Sequence, residues 1–229
     1  PKLKDPSQFR FIGKEVAGLD LHDILTGRAI FGQDAKLPGM KIAVILHPPV
    51  YGASVASVDS AAALKVKGVE RVVTLATTPI PSGFQPLGGV AVVATSTWAA
   101  LQGRRALKVT WTASPNDTHE SAAYRTQLEA SARAPGRIAR SQGDVTAALS
   151  AAAKMVTAEY YAPHLAHAPM EPPAAVASVT ADGCECWACT QDPQTARNEV
   201  AAALKIPKEK VICHVTLLGG AFGRKSKPD

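Results

Sequence analysis

Apolar residues in this chain gather in short runs rather than long ones. Ile42–Leu46, Val69–Leu75, Val90–Val93, Leu107–Trp111, Cys184–Cys189 and Val211–Leu217 are of strand length and are bounded by Gly, Pro or charged positions. Such runs predict short, well-covered strands. Met155–Tyr161 alternates and predicts another. Between them the spacing becomes helical. Ser60 stands as a cap before Ala61–Lys67, Thr97–Ala106 carries Trp98 and Leu101, and Ser121–Arg133 runs as a surface helix until Pro135-Gly136. Asp144 caps a weak, alanine-rich helix over Val145–Ala153. Near the C-terminal end Asp192 is a good N-cap and Pro193 suits the first helical position. That helix shows Ala196, Val200, Ala203 and Leu204 on one side and stops at Ile206-Pro207. Helices and strands mixed at this spacing predict an α+β fold.

The ends of this pattern set its divisions. Residues 1–20 hold two prolines and no period, and read as an extended linker arm docking by Phe9, Phe11 and Ile12. Residues 21–115 read as a small α+β domain, 116–150 as a connector, and 151–229 as the first part of a further domain. There, Cys184–Cys189, the helix and Val211–Leu217 make a strand–helix–strand unit. Gln191 at a strand end and Phe222 beyond the second strand can then converge on one ligand.

Composition changes this picture little. With 229 residues, 46% of them apolar, the chain suits one large or two small domains. No apolar run approaches the roughly eighteen residues of a membrane span, so no membrane span is expected. The net charge of +6 is spread over three regions, and the 5% of aromatic residues do not interleave with basic ones. A nucleic-acid platform is therefore not expected. The first residue is Pro1, not Met.

Two clusters invite a metal. Cys184, Cys186 and Cys189 are close in sequence, but on a strand Cys184 and Cys186 share a face while Cys189 points away. Cys213 lies in an apolar strand, where a thiol acts as a small hydrophobe. His164, His167 and Glu171 have ligand-like spacing, yet Pro163, Pro169, Pro172 and Pro173 exclude a regular helix there. Direct ligation of a metal is expected at neither cluster.

The last dozen residues carry the chemistry. Leu217-Leu218-Gly219-Gly220-Ala221-Phe222-Gly223-Arg224-Lys225 follows a strand and leaves backbone N–H groups bare. Arg224, Lys225 and Lys227 add positive charge, so the expected guest is an anion such as a phosphate or an oxo group. A nucleotide P-loop needs four residues between its glycines and a Gly directly before Lys-Ser. Here three separate Gly219 from Gly223, and Arg224 precedes Lys225-Ser226.

Gly219-Gly220-Ala221-Phe222-Gly223-Arg224-Lys225 resembles the Gly-Gly-Gly-Phe-Gly-Arg-Lys loop of the molybdenum hydroxylases, the xanthine oxidase/aldehyde oxidoreductase family. Thr190-Gln191 stands 31 residues before Phe222, as in that family. Residues 1–20 look like the segment within the isoquinoline 1-oxidoreductase beta-subunit branch, which implies an interior piece of a longer subunit. Thr26-Gly27-Arg28-Ala29 and Leu37-Pro38-Gly39-Met40 resemble its hammerhead domain, assigning that domain to 21–115 and a partial molybdopterin-binding domain to 151–229. The resemblance implies hydroxylation of an aldehyde or aromatic N-heterocycle with oxygen from water; the alternative readings are a non-catalytic scaffold piece or a phosphate-binding module. It implies a molybdenum–molybdopterin cofactor, in the cytosine dinucleotide form, contacted by Gln191, Gly220, Ala221, Phe222, Gly223 and Arg224. Partners would be the remaining part of the catalytic subunit and a small iron–sulfur subunit, with a cytochrome c haem as a further acceptor. The family's general-base glutamate is expected beyond Asp229, so no catalytic residue is assigned here and the chain alone is expected to be inactive. Ser226 replaces the Glu of purine-oxidising members, and Ala221 replaces a loop glycine.

Overall fold

The computed structural model describes residues 2–228. Its contacts form two units, one of Lys41–Ala166 and one of the residues up to Met40 with those from His167 onward. A short helix, α1 (Leu21–Leu25), comes first in the chain. The Lys41–Ala166 unit then contains β1 (Ile42–Leu46), β2 (Val55–Asp59), α2 (Ala61–Leu64), β3 (Val69–Leu75), β4 (Gly89–Ala94), α3 (Thr97–Ala106), β5 (Lys108–Trp111), α4 (Ser121–Arg133) and α5 (Val145–Ser150).

β4 is central here, pairing antiparallel with β1 on one side and β3 on the other. Every residue of β4 is buried, which explains why its sequence is a continuous apolar run without alternation. Helix α3 packs on this sheet through Ala99, Ala100 and Gly103. A Cβ at Gly103 would lie 2.8 Å from methyl groups of both Val69 and Val92. The glycine is thus required by close helix–sheet approach, despite its cost inside a helix. β2 and β5 form a separate antiparallel pair.

Most expected elements are present, with instructive differences. Ser60 makes no cap to α2; Asp59 Oδ1 instead accepts from Ala61 N at 3.0 Å. Glu120 caps α4, accepting from the N–H groups of Ala122 and Ala123. Asp144 Oδ1 accepts from Ala147 N as anticipated. Met155–Tyr161 is not a strand. Side chains hold it instead: Glu159 pairs with Arg133 at 2.9 Å, and the Tyr161 ring lies 4.5 Å from the Arg125 guanidinium carbon. Alternation selects faces, but a strand also needs a neighbouring edge.

The other unit contains β6 (Ala175–Val179), β7 (Cys184–Ala188), α6 (Pro193–Leu204) and β8 (Val211–Val215). β6 pairs antiparallel with β7, which pairs parallel with β8. The expected strand–helix–strand unit is therefore present, with β6 as an unanticipated edge. Asp192 caps α6, accepting from Thr195 N at 3.0 Å and Thr195 Oγ1 at 2.7 Å, with Pro193 in the first turn. The buried stripe of α6 is turned from the predicted one. Ala201 is buried, Val200 packs beside it, and Ala203 and Leu204 are exposed.

Cys184 and Cys186 share a buried face with Ala201 and Val211. Burial, then the neighbouring Cys213, pushes the Cys186 thiol up to about 12. These thiols behave as apolar packing groups. At the N-terminal end Asp5 caps a short 3-10 turn, Pro6–Gln8. Phe11 and Ile12 are exposed, so the expected docking through them is not made among the described residues.

Candidate functional site

The site is built where β7 ends and the chain leaves β8. β7 continues into Cys189, Thr190 and Gln191 before α6 begins. Beyond β8 the chain passes Leu217 and turns through Gly219–Gly223 into a 3-10 turn, Arg224–Ser226. Two hydrogen bonds join these segments. Gln191 N donates to Lys225 O at 3.0 Å, and Thr190 Oγ1 donates to the same oxygen at 3.1 Å. Parallel pairing of β7 and β8 places their ends on one side of the sheet, so the two connections meet there.

Positive backbone angles shape the loop. Gly220 has φ +94°, Phe222 +52° and Gly223 +85°. Gly219 N donates to Glu171 Oε2 at 3.1 Å, and Arg224 N to Ala221 O at 2.8 Å. Among the described residues, the N–H groups of Gly220, Ala221, Phe222 and Gly223 meet no acceptor. Gly220 and Ala221 are half-buried, while Phe222 is 71% exposed. Four successive N–H groups in a turn with left-handed residues make a concave donor surface, suited to an anion or a polarised oxygen.

Under the loop lies a buried ion pair that the sequence did not announce. Glu171 Oε2 accepts from Lys225 Nζ at 2.8 Å, with side-chain exposures of 8% and 2%. Glu171 Oε1 accepts from Gln33 N at 3.0 Å, and Glu171 N donates to Gly219 O at 2.9 Å. Burial would raise the Glu171 carboxyl. The Lys225 ammonium and the Gly219 and Gln33 N–H groups outweigh it and hold the carboxyl at about 2. Burial likewise opposes the Lys225 charge, but Glu171 and the Cys189 thiol keep its pKa above the ordinary lysine value. The expected role of Lys225 as cationic neighbour to a guest is therefore corrected. Its ammonium is neutralised inside the protein.

Gly219 and Gly32 are small because this cluster is tight. A Cβ at Gly219 would lie 2.6 Å from Glu171 Cβ, and one at Gly32 only 2.8 Å from Cys189 Sγ. Leu217 N donates to Ile30 O at 3.1 Å, and Phe31 bridges Leu217 in parallel, tying the 30–34 segment beside the loop. Cys189, which left the shared face of Cys184 and Cys186, is the buried wall of this cluster.

Residues 130–228 match the model of the molybdopterin cofactor-binding domain. The chain is 31% identical to isoquinoline 1-oxidoreductase subunit beta of Brevundimonas diminuta, over 99% of its own length and 29% of that protein. Residues 130–228 therefore belong to the molybdopterin cofactor-binding domain family. A second relative, 34% identical over 99% of this chain and 29% of its own length, is a membrane-bound aldehyde dehydrogenase of Gluconacetobacter polyoxogenes, whose name carries pyrroloquinoline quinone. Quinoline 2-oxidoreductase from Pseudomonas putida 86 shares the fold, with a TM-score of 0.63 at 24% identity over 93% of this chain and 31% of that one. The chain thus spans less than a third of the length of these relatives.

For a chain with such a domain, the donor chemistry fits a pterin-held metal. The loop offers neutral N–H groups, Gln191 offers an amide, and Glu171, the carboxylate that touches the loop, is neutralised by Lys225. Among the described residues no group of three His, Cys, Asp or Glu side chains is arranged to hold an ion. Of the anticipated site residues, Gly220, Ala221, Phe222 and Gly223 form the donor turn, Arg224 opens the 3-10 turn, and Gln191 is tied to Lys225 through its backbone. His164 is engaged elsewhere, its ring 5.3 Å from that of Tyr124. Glu171, Gln33 and Gly32 were missed as a group. The available signal was a lone carboxylate among prolines and small residues; Lys225, between Arg224 and Lys227, gave none.

Proposed function

We propose that the chain is part of the large catalytic subunit of a molybdenum-dependent oxidoreductase, which hydroxylates an aldehyde or an aromatic N-heterocycle with oxygen drawn from water. The observation that carries this reading is the donor turn Gly220–Gly223 fastened to the Gln191 strand end through Lys225 O. The relatives' names support the substrate classes, one naming an N-heterocycle and the other an aldehyde. When bound, the cofactor supplies the redox chemistry, and the protein binds and orients it. Gly220, Ala221, Phe222 and Gly223 would donate through their backbones, and Gln191 through its amide, to oxygens of that group. Such fixed neutral donors stabilise negative charge without adding a competing one. Phe222, beside them and exposed, would border the entry of a flat substrate.

Ser226 Oγ donates to Gly223 O at 2.7 Å, closing the turn, which argues against a purine as substrate. The cytosine dinucleotide form of the cofactor belongs to this reading. So do a hammerhead-type assignment for residues 21–115, a partial molybdopterin-binding domain over 151–229, and partnership with the remainder of the catalytic subunit. Electrons would leave through a small iron–sulfur subunit, with a cytochrome c as a further acceptor.

Two measurements test the proposal. The assembled enzyme should contain molybdenum and pterin; quinone without molybdenum would overturn it in favour of the cofactor named for the Gluconacetobacter relative. Gln191→Ala should lower kcat/KM by about ten- to a hundredfold, the range for losing an outer-shell partner of a metal. The melting temperature should hold, because Gln191 is exposed and its bond to Lys225 uses the backbone. Unchanged kcat/KM would remove Gln191 from the site.

A further inference from the structure

The Glu171–Lys225 pair does more than fill space under the loop. Three segments meet at it: the one around Gln33, the one that carries Glu171, and the loop from Gly219 to Lys225. Gln33 N donates to one Glu171 oxygen, and Gly219 N and Lys225 Nζ donate to the other. Glu171 N returns a bond to Gly219 O, so residue 171 and residue 219 grip each other through both backbone and side chain. Lys225 adds a second grip at the far end of the loop, because its carbonyl accepts from both Thr190 Oγ1 and Gln191 N. The four N–H groups that meet no acceptor among the described residues lie between these two fixed points, Gly219 and Lys225. A loop with that many left-handed residues has little helical or strand support of its own. Its direction is set by what holds its ends.

We infer that Glu171 and Lys225 are positioning residues: a buried clasp that fixes both ends of the Gly220–Gly223 donor turn and sets it against the Gln191 strand end. The clasp touches no ligand. It acts through the turn, and it assigns the motif's lysine to the protein rather than to an anionic guest. Two features separate this from ordinary packing. The side chains are 8% and 2% exposed, so neither head group is presented to a ligand. Moreover, Glu171 Oε1 accepts from Gln33 N, which fastens to the carboxylate the same 30–34 segment that is tied to Leu217 at the start of the loop.

The inference rests on the proposed molybdopterin site for its functional half, and on this chain alone for its structural half. The test uses the assembled enzyme and the variants Glu171→Gln, Lys225→Met and the double variant. Hydrogen exchange at the Gly219 amide reads the clasp directly, with or without cofactor. Molybdenum per chain reads occupancy, and kcat and KM with benzaldehyde as probe read its use. Gly219 exchange should quicken about tenfold or more in each single variant, as expected for losing a hydrogen bond to a charged group. Molybdenum content and kcat should fall together in both, with KM for the metal-loaded fraction nearly unchanged. The double variant should be no worse than the poorer single one, since both disable one device. If Glu171→Gln does not fold, Glu171→Asp keeps the charge but withdraws the carboxylate from Gly219 and Gln33, and should give the same exchange signature.

Three results would overturn the inference. In one, Lys225→Met empties the site while Glu171→Gln leaves exchange and molybdenum untouched, which makes Lys225 a ligand contact. In another, Gly219 exchange is unchanged in both variants. In the third, exchange quickens while molybdenum and kcat stay at the parental level, leaving a purely structural pair. A parental enzyme without molybdenum would instead sink the functional proposal, and the exchange result would still stand by itself.

Discussion

Two buried places in this chain are held together by opposite physics. Around β4, Val90, Val92 and Ala94 are fully covered, and Ala94 packs with Ala99 and Ala100 of α3. Nothing there is directional, and apolar groups of similar volume would serve almost as well. Under the Gly-rich loop, the buried groups are a carboxylate and an ammonium 2.8 Å apart, ringed by backbone N–H donors. Such a pair is a poor general source of stability, because desolvation offsets most of its attraction. It is, however, strongly directional, and removing either partner strands a charge. One place is built for stability at low information. The other fixes where four N–H groups point.

The largest expected difference between them is in acid. Glu171 ionises at about 2 in the folded chain against 4.5 for an ordinary glutamate. A depressed carboxyl contributes stability that is fully present above the unfolded value and disappears as pH falls through the folded one. On the order of 3 kcal/mol should therefore be lost between about pH 4.5 and pH 2, from a shift of this size. Chemical denaturation across that window should show a slope in the parent that Glu171→Gln lacks. Parallel curves for the two proteins would mean that the carboxylate is not held as the geometry indicates.

That contrast also explains what could be read from sequence. Local chemistry announced β3, β4, α3, α4 and α6, because runs of valine, helical spacing and the Asp192-Pro193 start each act over a few residues. The meeting of the Gly-rich loop with the Gln191 strand end was legible from the strand–helix–strand pattern. The clasp was not, since Glu171 and Lys225 are 54 residues apart and Gln33 contributes only a backbone N–H, which any non-proline residue has. β6 escaped because Ala175–Val179 is rich in small residues, so its alternation is faint. Met155–Tyr161 failed in the other direction: its alternation is clear, but Arg133 and Arg125 of α4 engage it in place of a strand.

A core substitution sharpens the comparison from its other side. Val92 is fully buried between α3 and its flanking strands. Val92→Ala should cost about 2 kcal/mol, from the lost transfer of its methyl groups and the space they leave near Gly103. Unlike the Glu171 effect, this loss should be the same at pH 3 and pH 7 and insensitive to salt, because no charge is involved. A loss that grows or shrinks across that pH range would show that charge also contributes around β4.

The smallest stability effect should come from the residue with the most conspicuous side chain in the loop. Phe222 is 71% exposed and its backbone sits at φ +52°. An L-residue in that conformation costs roughly 1–2 kcal/mol, while an exposed ring gains little from burial. Phe222→Ala keeps the backbone cost and removes only exposed surface, so stability should move by less than about 0.5 kcal/mol. Phe222→Gly removes the backbone cost but frees the unfolded chain, and these two effects oppose each other. Its stability should equal or slightly exceed that of the parent. Activity should separate from stability in both variants. If the ring borders the entry to the proposed site, KM should rise for planar heterocycles more than for small aldehydes, equally for Ala and Gly. A loss of about 3–5 kcal/mol, the usual cost of truncating a core Phe, would instead place this ring in an apolar contact and move the loop into the class of the β4 core.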